Sequence, residues 1–346
     1  MFAPFGLKIS QTEKTELESI ARATAGFLKR IDEWYKKEQQ RVGGSRWLGI
    51  LHGGIPKEFA EFPWKPGLPE TIMVDLVSTT DGWRIVEIDA TNRNGLGFPA
   101  LWRHLYELPA LWGANHEYWL RRGWRNAVQI MSSRHRFYEP YYRFFLKLID
   151  GKLVREEDIG DWLANGVNET THLLDLPILY AHRDDMRKLL STAEHMPMAI
   201  PPKHYLSNKA VLALPWEEED FASDKIREYL PTTRLLCRSR PLPTGDFFVK
   251  LLMGNGAHGT YDNHTDKLAE LHKLSKPQAV WQEALPIVRR RVKYLNEDGD
   301  SQGGDFFLRF TIFISDDGII RDADVTGSQS KVVHGSKTSL FTVPIV

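Results

Sequence analysis

Residues 74–89 read Val74-Asp-Leu-Val-Ser-Thr-Thr-Asp-Gly-Trp-Arg-Ile-Val-Glu-Ile-Asp89. Apolar and polar residues alternate on both sides of a turn signal, Thr80-Asp81-Gly82, and this is the pattern of a β-hairpin. A three-residue loop with its glycine in the left-handed conformation would pair Thr79 with Trp83. The sequence therefore predicts two antiparallel strands with a fixed register.

The predicted hairpin carries three carboxylates on one face. In this register Asp75 lies opposite Glu87, and Asp89 follows on the same side because side chains alternate along a strand. The other face is apolar and is formed by Val74, Leu76, Val86 and Ile88. Crowded carboxylates repel one another unless a cation lies among them, and Mg²⁺ prefers carboxylate, phosphate and water oxygens. The three acids indicate a magnesium site, and the alternative is the exposed face of an ordinary hairpin.

The composition indicates a globular protein. In 346 residues, 45 Lys and Arg balance 45 Asp and Glu, which argues against a protein built to coat nucleic acid or an anionic membrane. We find no apolar run that could span a bilayer and no secretory signal, so we expect a cytoplasmic protein. Cys237 is the single cysteine and excludes an intramolecular disulfide framework.

Helical and α/β segments flank the hairpin. Ser10 and Glu13 form a capping box before an amphipathic helix that we expect over residues 11–41. Its buried stripe would be Leu17, Ile20, Thr24, Phe27, Ile31 and Trp34. After the hairpin we expect an aromatic-rich helical segment at 100–149. A small α/β unit should follow, with a short helix at 155–161 and a buried strand at 175–180.

The last third of the chain suggests a nucleotide site. A capped helix start is expected at 206–212, and strands are expected at 247–252, 279–283 and 306–314. The strand at 247–252 leads into Gly254-Asn-Gly-Ala-His-Gly259, whose amides could close over phosphates while Lys250 neutralises them. The alternative is an ordinary glycine-rich turn.

Two further segments support a nucleotide. Lys209 lies at the predicted helix start, where its ammonium group and free amides could hold a phosphate. Val280-Trp-Gln-Glu-Ala-Leu285 leaves a strand as an adenine-binding hinge would, with Gln282 and Glu283 as its polar residues. The alternatives are a solvated lysine and a polar pair on an edge strand.

In combination, these segments resemble the circularly permuted ATP-grasp ligases of the glutathionylspermidine synthase type. The matching motifs are Asp75 with Asp81-Gly82 and Glu87-Ile-Asp89, Ser207-Asn-Lys-Ala210, Val249-Lys250 with the loop from Gly254 to Gly259, Gln282-Glu283, and Lys337-Thr-Ser-Leu-Phe-Thr-Val-Pro-Ile345. The resemblance covers about residues 70–100 and 203–346 and depends on the order and spacing of these motifs.

The resemblance implies an α/β (α+β) architecture. This is a circularly permuted ATP-grasp fold with two lobes of antiparallel sheet plus helices and a small pre-ATP-grasp α/β domain. The implied parts are an N-terminal helical segment (1–60), a permuted metal-binding part of the ATP-grasp lobe (61–130), a pre-ATP-grasp-like region (131–204) and the nucleotide-binding lobes (205–346).

The resemblance also implies a carboxylate-amine ligase that forms an amide through an acylphosphate and releases ADP and phosphate. Its cofactors would be ATP and Mg²⁺, and its partners a small-molecule or peptide carboxylate and an amine, with no nucleic acid or membrane. The implied ATP-binding residues are Lys209, Lys250, Gly254, Gly256, Gly259, Gln282, Glu283 and Leu285. The implied metal ligands are Asp75, Glu87 and Asp89.

Departures from the family pattern leave other functions open. Met73 stands where the family has an arginine that steadies the transferred phosphoryl group, and Asp89 stands where it usually has asparagine. An ATP-grasp phosphotransferase and a catalytically inactive ATP-binding module are therefore alternatives. Arg309 and Arg321 are candidates for stabilising the transferred group, or else structural ion pairs. The basic run Arg289-Arg-Arg-Val-Lys293 could recruit an acidic substrate or could be a solvated face.

Overall fold

The computed structural model describes residues 3–42, 44–60, 62, 64–91, 95–113, 115–165, 172–176, 188–191, 196–254, 259–296, 298–331 and 340–345. Its α-helices are α1 Gln11–Gln39, α2 Arg46–Leu51, α3 Lys57–Ala60, α4 Gly97–Tyr106, α5 Asn115–Arg121, α6 Glu139–Leu148, α7 Ile159–Asn165, α8 His204–Ser207, α9 Leu214–Glu217 and α10 Asp266–His272. Shorter 3-10 helices are Ser133–Tyr138, Glu156–Asp158, Lys209–Ala213, Glu219–Phe221 and Lys225–Glu228.

The strands within these described ranges form four sheets. They are β1 Leu7–Lys8, β2 Ile72–Thr79, β3 Gly82–Asp89, β4 Val128–Met131, β5 Lys152–Arg155, β6 Leu173–Asp175, β7 Met198–Ile200, β8 Thr233–Leu236, β9 Phe247–Leu251, β10 Thr260–Asp262, β11 Ala279–Glu283, β12 Arg289–Leu295, β13 Ser301–Ile314, β14 Ile320–Ser328, β15 Leu340–Thr342 and β16 Pro344–Ile345. The central sheet has the order β15-β14-β13-β2-β3, with β12 paired to the first half of β13.

The N-terminal helix α1 confirms the capping-box prediction. The Ser10 hydroxyl accepts from the Glu13 amide at 3.2 Å, and the Glu13 carboxylate accepts from the Ser10 amide at 2.8 Å. The predicted stripe is buried along its whole length: Leu17, Ile20, Thr24, Phe27, Ile31 and Trp34. This stripe packs on the apolar face of the central sheet. No helix within the described ranges is long and apolar enough to cross a membrane.

The turn of the β2–β3 hairpin is one residue shorter than predicted. Thr79 pairs with Gly82 and not with Trp83, so the loop has two residues. The Thr79 hydroxyl donates to the Gly82 carbonyl at 2.8 Å and accepts from the Asp81 amide at 3.2 Å. These two hydrogen bonds of the threonine side chain stabilise the tighter turn.

A β-bulge in the same hairpin restores the register. Leu76 pairs with Ile85, whereas Asp75 pairs with Glu87, so Val86 is the extra residue. The predicted pairing of Asp75 with Glu87 is therefore confirmed. The predicted place of Val86 on the apolar face is wrong, because Ile85 is buried there and Val86 is half-buried beside the bulge.

The second sheet is antiparallel in the order β10-β9-β11-β8. Its strands β9 and β11 confirm the predictions at 247–252 and 279–283, and β13 contains the strand predicted at 306–314. The start predicted at 206–212 is a 3-10 helix capped by Asn208.

A parallel sheet in the order β5-β4-β6-β7 forms the predicted small α/β unit. Its predicted helix is the 3-10 helix at 156–158 followed by α7. The strand expected at 175–180 is misplaced, since β6 ends at Asp175, and residues 177–180 lie outside the described residues. Strand β4 interrupts the segment predicted to be helical, because a short apolar run fits either structure.

Candidate functional site

Four adjacent strands of the central sheet place polar residues in one row. Asp75 on β2 is paired with Glu87 on β3 and with Thr311 on β13, and Thr311 is paired with Asp324 on β14. The Thr311 hydroxyl donates to Asp75 Oδ1 at 2.6 Å. This polar row, Asp324-Thr311-Asp75-Glu87, lies on the face of the sheet opposite α1. The hairpin register brings Asp75 and Glu87 together, and the pairing of β13 with β2 and β14 adds Thr311 and Asp324.

Lys209 lies against one end of the polar row. Its Nζ atom is 3.0 Å from Oε1 of Glu87 and donates to the carbonyl of Gly254 at 2.5 Å. Asn208 fixes the lysine, because its side chain accepts from the Ala210 amide at 2.9 Å and donates to two carbonyls of α2. The capped helix start predicted from the sequence is thus the element that positions Lys209.

Lys250 connects the second sheet to the same place. Its Nζ atom donates to the carbonyl of Val86, the bulge residue, at 2.8 Å. Burial lowers the pKa of Lys250 to about 8, although Glu87 favours its charged form. Burial also opposes the charge of Glu87, but Lys209 and Lys250 more than offset it and lower the pKa of that carboxyl. The two lysines and Glu87 form one charged group.

The other two acids have partners of their own. Arg309, two residues before Thr311 on β13, has Nη1 at 3.3 Å from Oδ2 of Asp75. Asp89 accepts from the Ser207 hydroxyl at 3.0 Å. Burial raises the pKa of Asp75 and of Asp89, and the charge of Glu87 adds to both shifts, while Arg309 opposes the shift of Asp75. Each of the two carboxylates thus has a partner of its own, while burial opposes its charge.

Asp75 and Glu87 are paired across the hairpin and Asp89 follows on the same face, and carboxylate oxygens are the ligands that a hard cation such as Mg²⁺ prefers. The structure describes no group of three or more His, Cys, Asp or Glu side chains placed to hold a metal ion within its described ranges. The three acids are thus not a preformed metal cage. Magnesium on a nucleotide needs only one or two carboxylates, since phosphate oxygens and water complete its shell. Asp75 and Glu87, paired across the hairpin, fit that smaller requirement.

The glycine loop is described only at its two ends. Gly254 provides the carbonyl that Lys209 binds. Gly259 has φ +91 and its carbonyl accepts from the Leu251 amide at 2.7 Å, which closes the base of the loop. Gly256 lies outside the described residues.

The predicted hinge lies at the end of β11. Gln282 is buried and donates to the Thr233 hydroxyl at 3.2 Å. Gln282 also lies on the same side of the sheet as Lys250, because Val280, two residues earlier, is paired with Lys250. Glu283 is exposed and Leu285 is half-buried just beyond the strand.

Arg321 is not brought to the polar row. Its Nε atom donates to the Ser315 hydroxyl at 2.8 Å, and its Nη2 atom is 3.0 Å from Oδ2 of Asp317. The guanidinium group also lies over the ring of Tyr118, 4.2 Å from its centroid. These contacts hold the β13–β14 turn, as a structural ion pair would.

Sequence reasoning missed the acids of β14. Arg103 on α4 binds Asp322 through two hydrogen bonds of 2.6 and 2.7 Å. Asp324 closes the polar row, and burial raises its pKa to about 8 although Arg309 opposes the shift. The alternation Asp322-Ala-Asp324 was the available signal, since it places both acids on one face of a strand.

Comparisons with known proteins give a fold. No family model matches the chain, and no curated protein matches it. Among solved structures, the chain is similar to a glutathione synthetase-like effector from Globodera pallida in its apo form. The TM-score is 0.64 at 10% sequence identity, and the match covers 99% of this chain and 89% of that chain. At this identity the likeness shows the fold alone, a mixed α/β fold of the ATP-grasp type, which agrees with the predicted fold class.

Proposed function

We propose that the protein is an ATP-dependent ligase that joins a carboxylate to an amine and releases ADP and phosphate. The convergence of Lys209 and Lys250 on Glu87, beside the first carbonyl of the glycine loop, carries this proposal. Two cations from separate segments next to a row of acids suit a triphosphate bound with a divalent cation. The ATP-grasp-type fold supports the same reaction class.

Within that fold we assign the chain to the circularly permuted group of the glutathionylspermidine synthase type. Strand β2 comes early in the chain, yet it pairs with β13, which lies more than 200 residues later. The β2–β3 hairpin thus completes a sheet whose other strands, β12 to β15, belong to residues 289–342. This arrangement is expected of a permuted chain and supports the assignment.

The lysines would bind phosphate oxygens. In the ligand-free site, Lys209 balances the charge of Glu87. Phosphate oxygens would replace Glu87 as its partner and release the carboxylate. A magnesium ion, when bound, would be held by Asp75 and Glu87 and would neutralise charge on the phosphates. Glu87 would therefore exchange a lysine for the ion when nucleotide binds.

Arg309 would stabilise the phosphoryl group during transfer to the substrate carboxylate. A carboxylate oxygen forms a bond to the γ-phosphorus while the bond to the oxygen of ADP breaks, which gives an acylphosphate. The amine nitrogen then attacks the acyl carbon, phosphate leaves, and the nitrogen loses a proton. A guanidinium group beside Asp75 stabilises charge on the transferred oxygens, and it compensates for Met73 at the usual arginine position.

An ATP-binding module without turnover is the second candidate, and Met73 favours it. The Met73 side chain packs against a cluster that includes Tyr142, Phe145 and Phe313. A methionine at position 73 supplies no positive charge to the transferred phosphoryl group. If Arg309 does not replace the missing charge, the protein would bind ATP without transferring its phosphoryl group.

Hydroxylamine distinguishes these functions because it traps acylphosphates whatever the natural amine is. We expect hydroxamate and ADP to form from ATP, a set of carboxylic acids and hydroxylamine, and Lys250→Met to abolish both. Lys267→Met, an exposed lysine on α10, is the matched control and should not change the rate. A phosphorylated product that persists without amine would identify a phosphotransferase. ATP binding without ADP release from any acid would leave the inactive module.

A further inference from the structure

The basic run that begins after the hinge forms strand β12, and its side chains alternate between two faces. Arg289 is paired with Phe307, Arg291 with Asp305 and Lys293 with Gly303. These positions of β13 precede Arg309 in steps of two residues, so they share its face of the sheet. We call Arg289, Arg291 and Lys293 the basic ladder. The basic ladder continues the face that carries the polar row.

The opposite face of the strand has another role. Arg290 donates to Glu13 Oε1 at 2.6 Å and lies over the ring of Trp83. Val292 is buried in the core with α1. These residues fasten β12 to the body of the protein. The ladder residues are all exposed, so their charges are available to a ligand.

The ladder side chains are held over the sheet face. The Arg289 guanidinium lies 4.7 Å from the centroid of the Phe307 ring. A Cβ atom added at Gly303 would meet the Arg291 guanidinium at 3.2 Å, so this arginine covers the glycine. Its pair with Asp305 is long, at 3.7 Å, and both side chains are more than half exposed. Such a pair contributes little and leaves the arginine free to bind another carboxylate.

The spacing of the cations selects an extended chain. Alternate residues on a strand are about 7 Å apart, so Arg309 and the ladder form four cationic steps over about 20 Å. An extended peptide repeats its side chains on one side at the same interval. A peptide with acidic residues at alternate positions would match each step, with its reacting carboxylate next to Arg309.

We propose that the carboxylate substrate is an extended acidic peptide, held along β12 by Arg289, Arg291 and Lys293. This inference rests on the proposed ligase function and names the substrate class for it. The carboxylate that reacts lies next to Arg309, where the phosphoryl group is transferred, and the ladder binds carboxylates farther along the peptide. The ladder therefore sets peptide affinity and has no part in the chemistry at the reacting carboxylate.

Peptide binding to the full-length protein tests the proposal without any turnover. The probe is fluorescein-labelled hexaglutamate, followed by anisotropy at low ionic strength and at 0.15 M salt, with labelled hexaserine as the neutral peptide. The test variant combines Arg289→Gln, Arg291→Gln and Lys293→Gln. The matched control combines Lys29→Gln, Lys37→Gln and Arg41→Gln, which are exposed cations on and just after α1, the helix that covers the opposite face of the sheet.

We expect hexaglutamate to bind more tightly than hexaserine. The ladder variant loses three exposed charge pairs with the peptide, so its affinity for hexaglutamate should fall about tenfold. The affinity of the control variant should stay within about twofold of the wild type. In the hydroxylamine assay, the ladder variant should raise KM for hexaglutamate and leave kcat and the KM for free glutamate unchanged.

Equal losses in the two triple variants would overturn the proposal, because they would show a response to net charge alone. Equal competition by a DNA oligonucleotide of the same charge would also overturn it, since the ladder would then bind any polyanion. ATP binding distinguishes failure of the peptide proposal from failure of the ligase proposal. If ATP binding is intact and only the ladder effect is missing, the substrate class is wrong and the ligase proposal stands.

Discussion

The ammonium group of Lys209 lies 3.0 Å from Oε1 of Glu87, and both side chains also belong to the proposed nucleotide site. The pair joins the 3-10 helix after Asn208 to the β2–β3 hairpin across the interior of the molecule. The Lys209 side chain is buried and that of Glu87 is 33% exposed, so the carboxylate supplies the counter-charge that a buried ammonium group requires. The ion pair therefore keeps the site assembled before a ligand binds.

Lys209→Met should weaken ATP binding in the presence of Mg²⁺. A hydrogen bond to a charged group contributes about 1.5–3 kcal/mol, so the expected loss is about 10- to 150-fold. Lys209→Arg should retain part of the affinity because it keeps the charge. Titration calorimetry measures both variants, and unchanged binding by Lys209→Met would mean that the phosphates lie elsewhere.

Arg309→Met should reduce turnover far more than ATP binding. The guanidinium group is placed to act on the transferred phosphoryl group, and loss of one such stabilising donor lowers kcat about 100-fold or more. Arg321→Met is the matched control, because Arg321 is bound to Ser315 and Asp317 at the β13–β14 turn. ADP release in the hydroxylamine assay measures both. The assignment of Arg309 is wrong if the two variants lose activity equally.

A buried ion pair connects α1 to the segment that carries Lys209. Lys203 Nζ donates to Asp32 Oδ1 at 2.8 Å and to the Gly67 carbonyl at 2.5 Å, and Tyr205 also donates to Asp32. Asp32→Asn leaves the Lys203 ammonium group buried without its counter-charge. Removing one partner of such a pair destabilises a protein by about 3–5 kcal/mol.

Urea unfolding of Asp32→Asn, Lys203→Met and the double variant measures this coupling. We expect the double variant to lose less stability than the sum of the two single variants, because neither charge is then left alone. Additive losses would show that Asp32 and Lys203 act independently.

His204 should make the protein sensitive to acid. Burial lowers its pKa to about 4, and its Nε2 atom has no hydrogen-bond partner among the described residues. The unfolded chain, with a histidine pKa of about 6.5, then binds more protons than the folded chain between these two values. Stability is therefore lost as the pH falls from about 6.5 towards 4, by about 2 kcal/mol at pH 5.

The measurement is urea unfolding at pH 7 and pH 5 for the wild type and for His204→Gln. The variant cannot titrate in this range, so its loss between the two pH values should be smaller by about 2 kcal/mol. Equal losses would place the acid sensitivity on other groups.

The hairpin shows how far the sequence leads. Period-two alternation and a turn signal were enough to pair Asp75 with Glu87, although the turn is one residue shorter than predicted and a bulge at Val86 compensates. The bulge has no sequence signal of its own, because it arises from the fit between a tight turn and the contacts of β3. It also supplies the carbonyl that Lys250 binds. The prediction that Asp75 pairs with Glu87 was therefore correct, but the reasoning behind it assumed a longer turn and no bulge.

Pairings between strands that are distant in the chain could not be predicted from the sequence. Asp324 and Thr311 enter the polar row only because β13 and β14 pair next to β2, and nothing local to either strand indicates that neighbour. Arg321 and Arg309 look alike in the sequence, since each follows an apolar run, but only Arg309 faces the row. Side-chain direction relative to a distant strand separates the two arginines, and the sequence does not encode it locally.

ATP binding measured by calorimetry, with and without Mg²⁺, tests the central claim most directly. The proteins are the wild type, Glu87→Ala and, as a control, Glu117→Ala, which removes an acid that is 60% exposed on α5. We predict binding that depends on Mg²⁺, is lost in Glu87→Ala and is unchanged in Glu117→Ala. Absent binding, or binding that needs neither Mg²⁺ nor Glu87, would contradict the account and leave the acidic hairpin as a structural element.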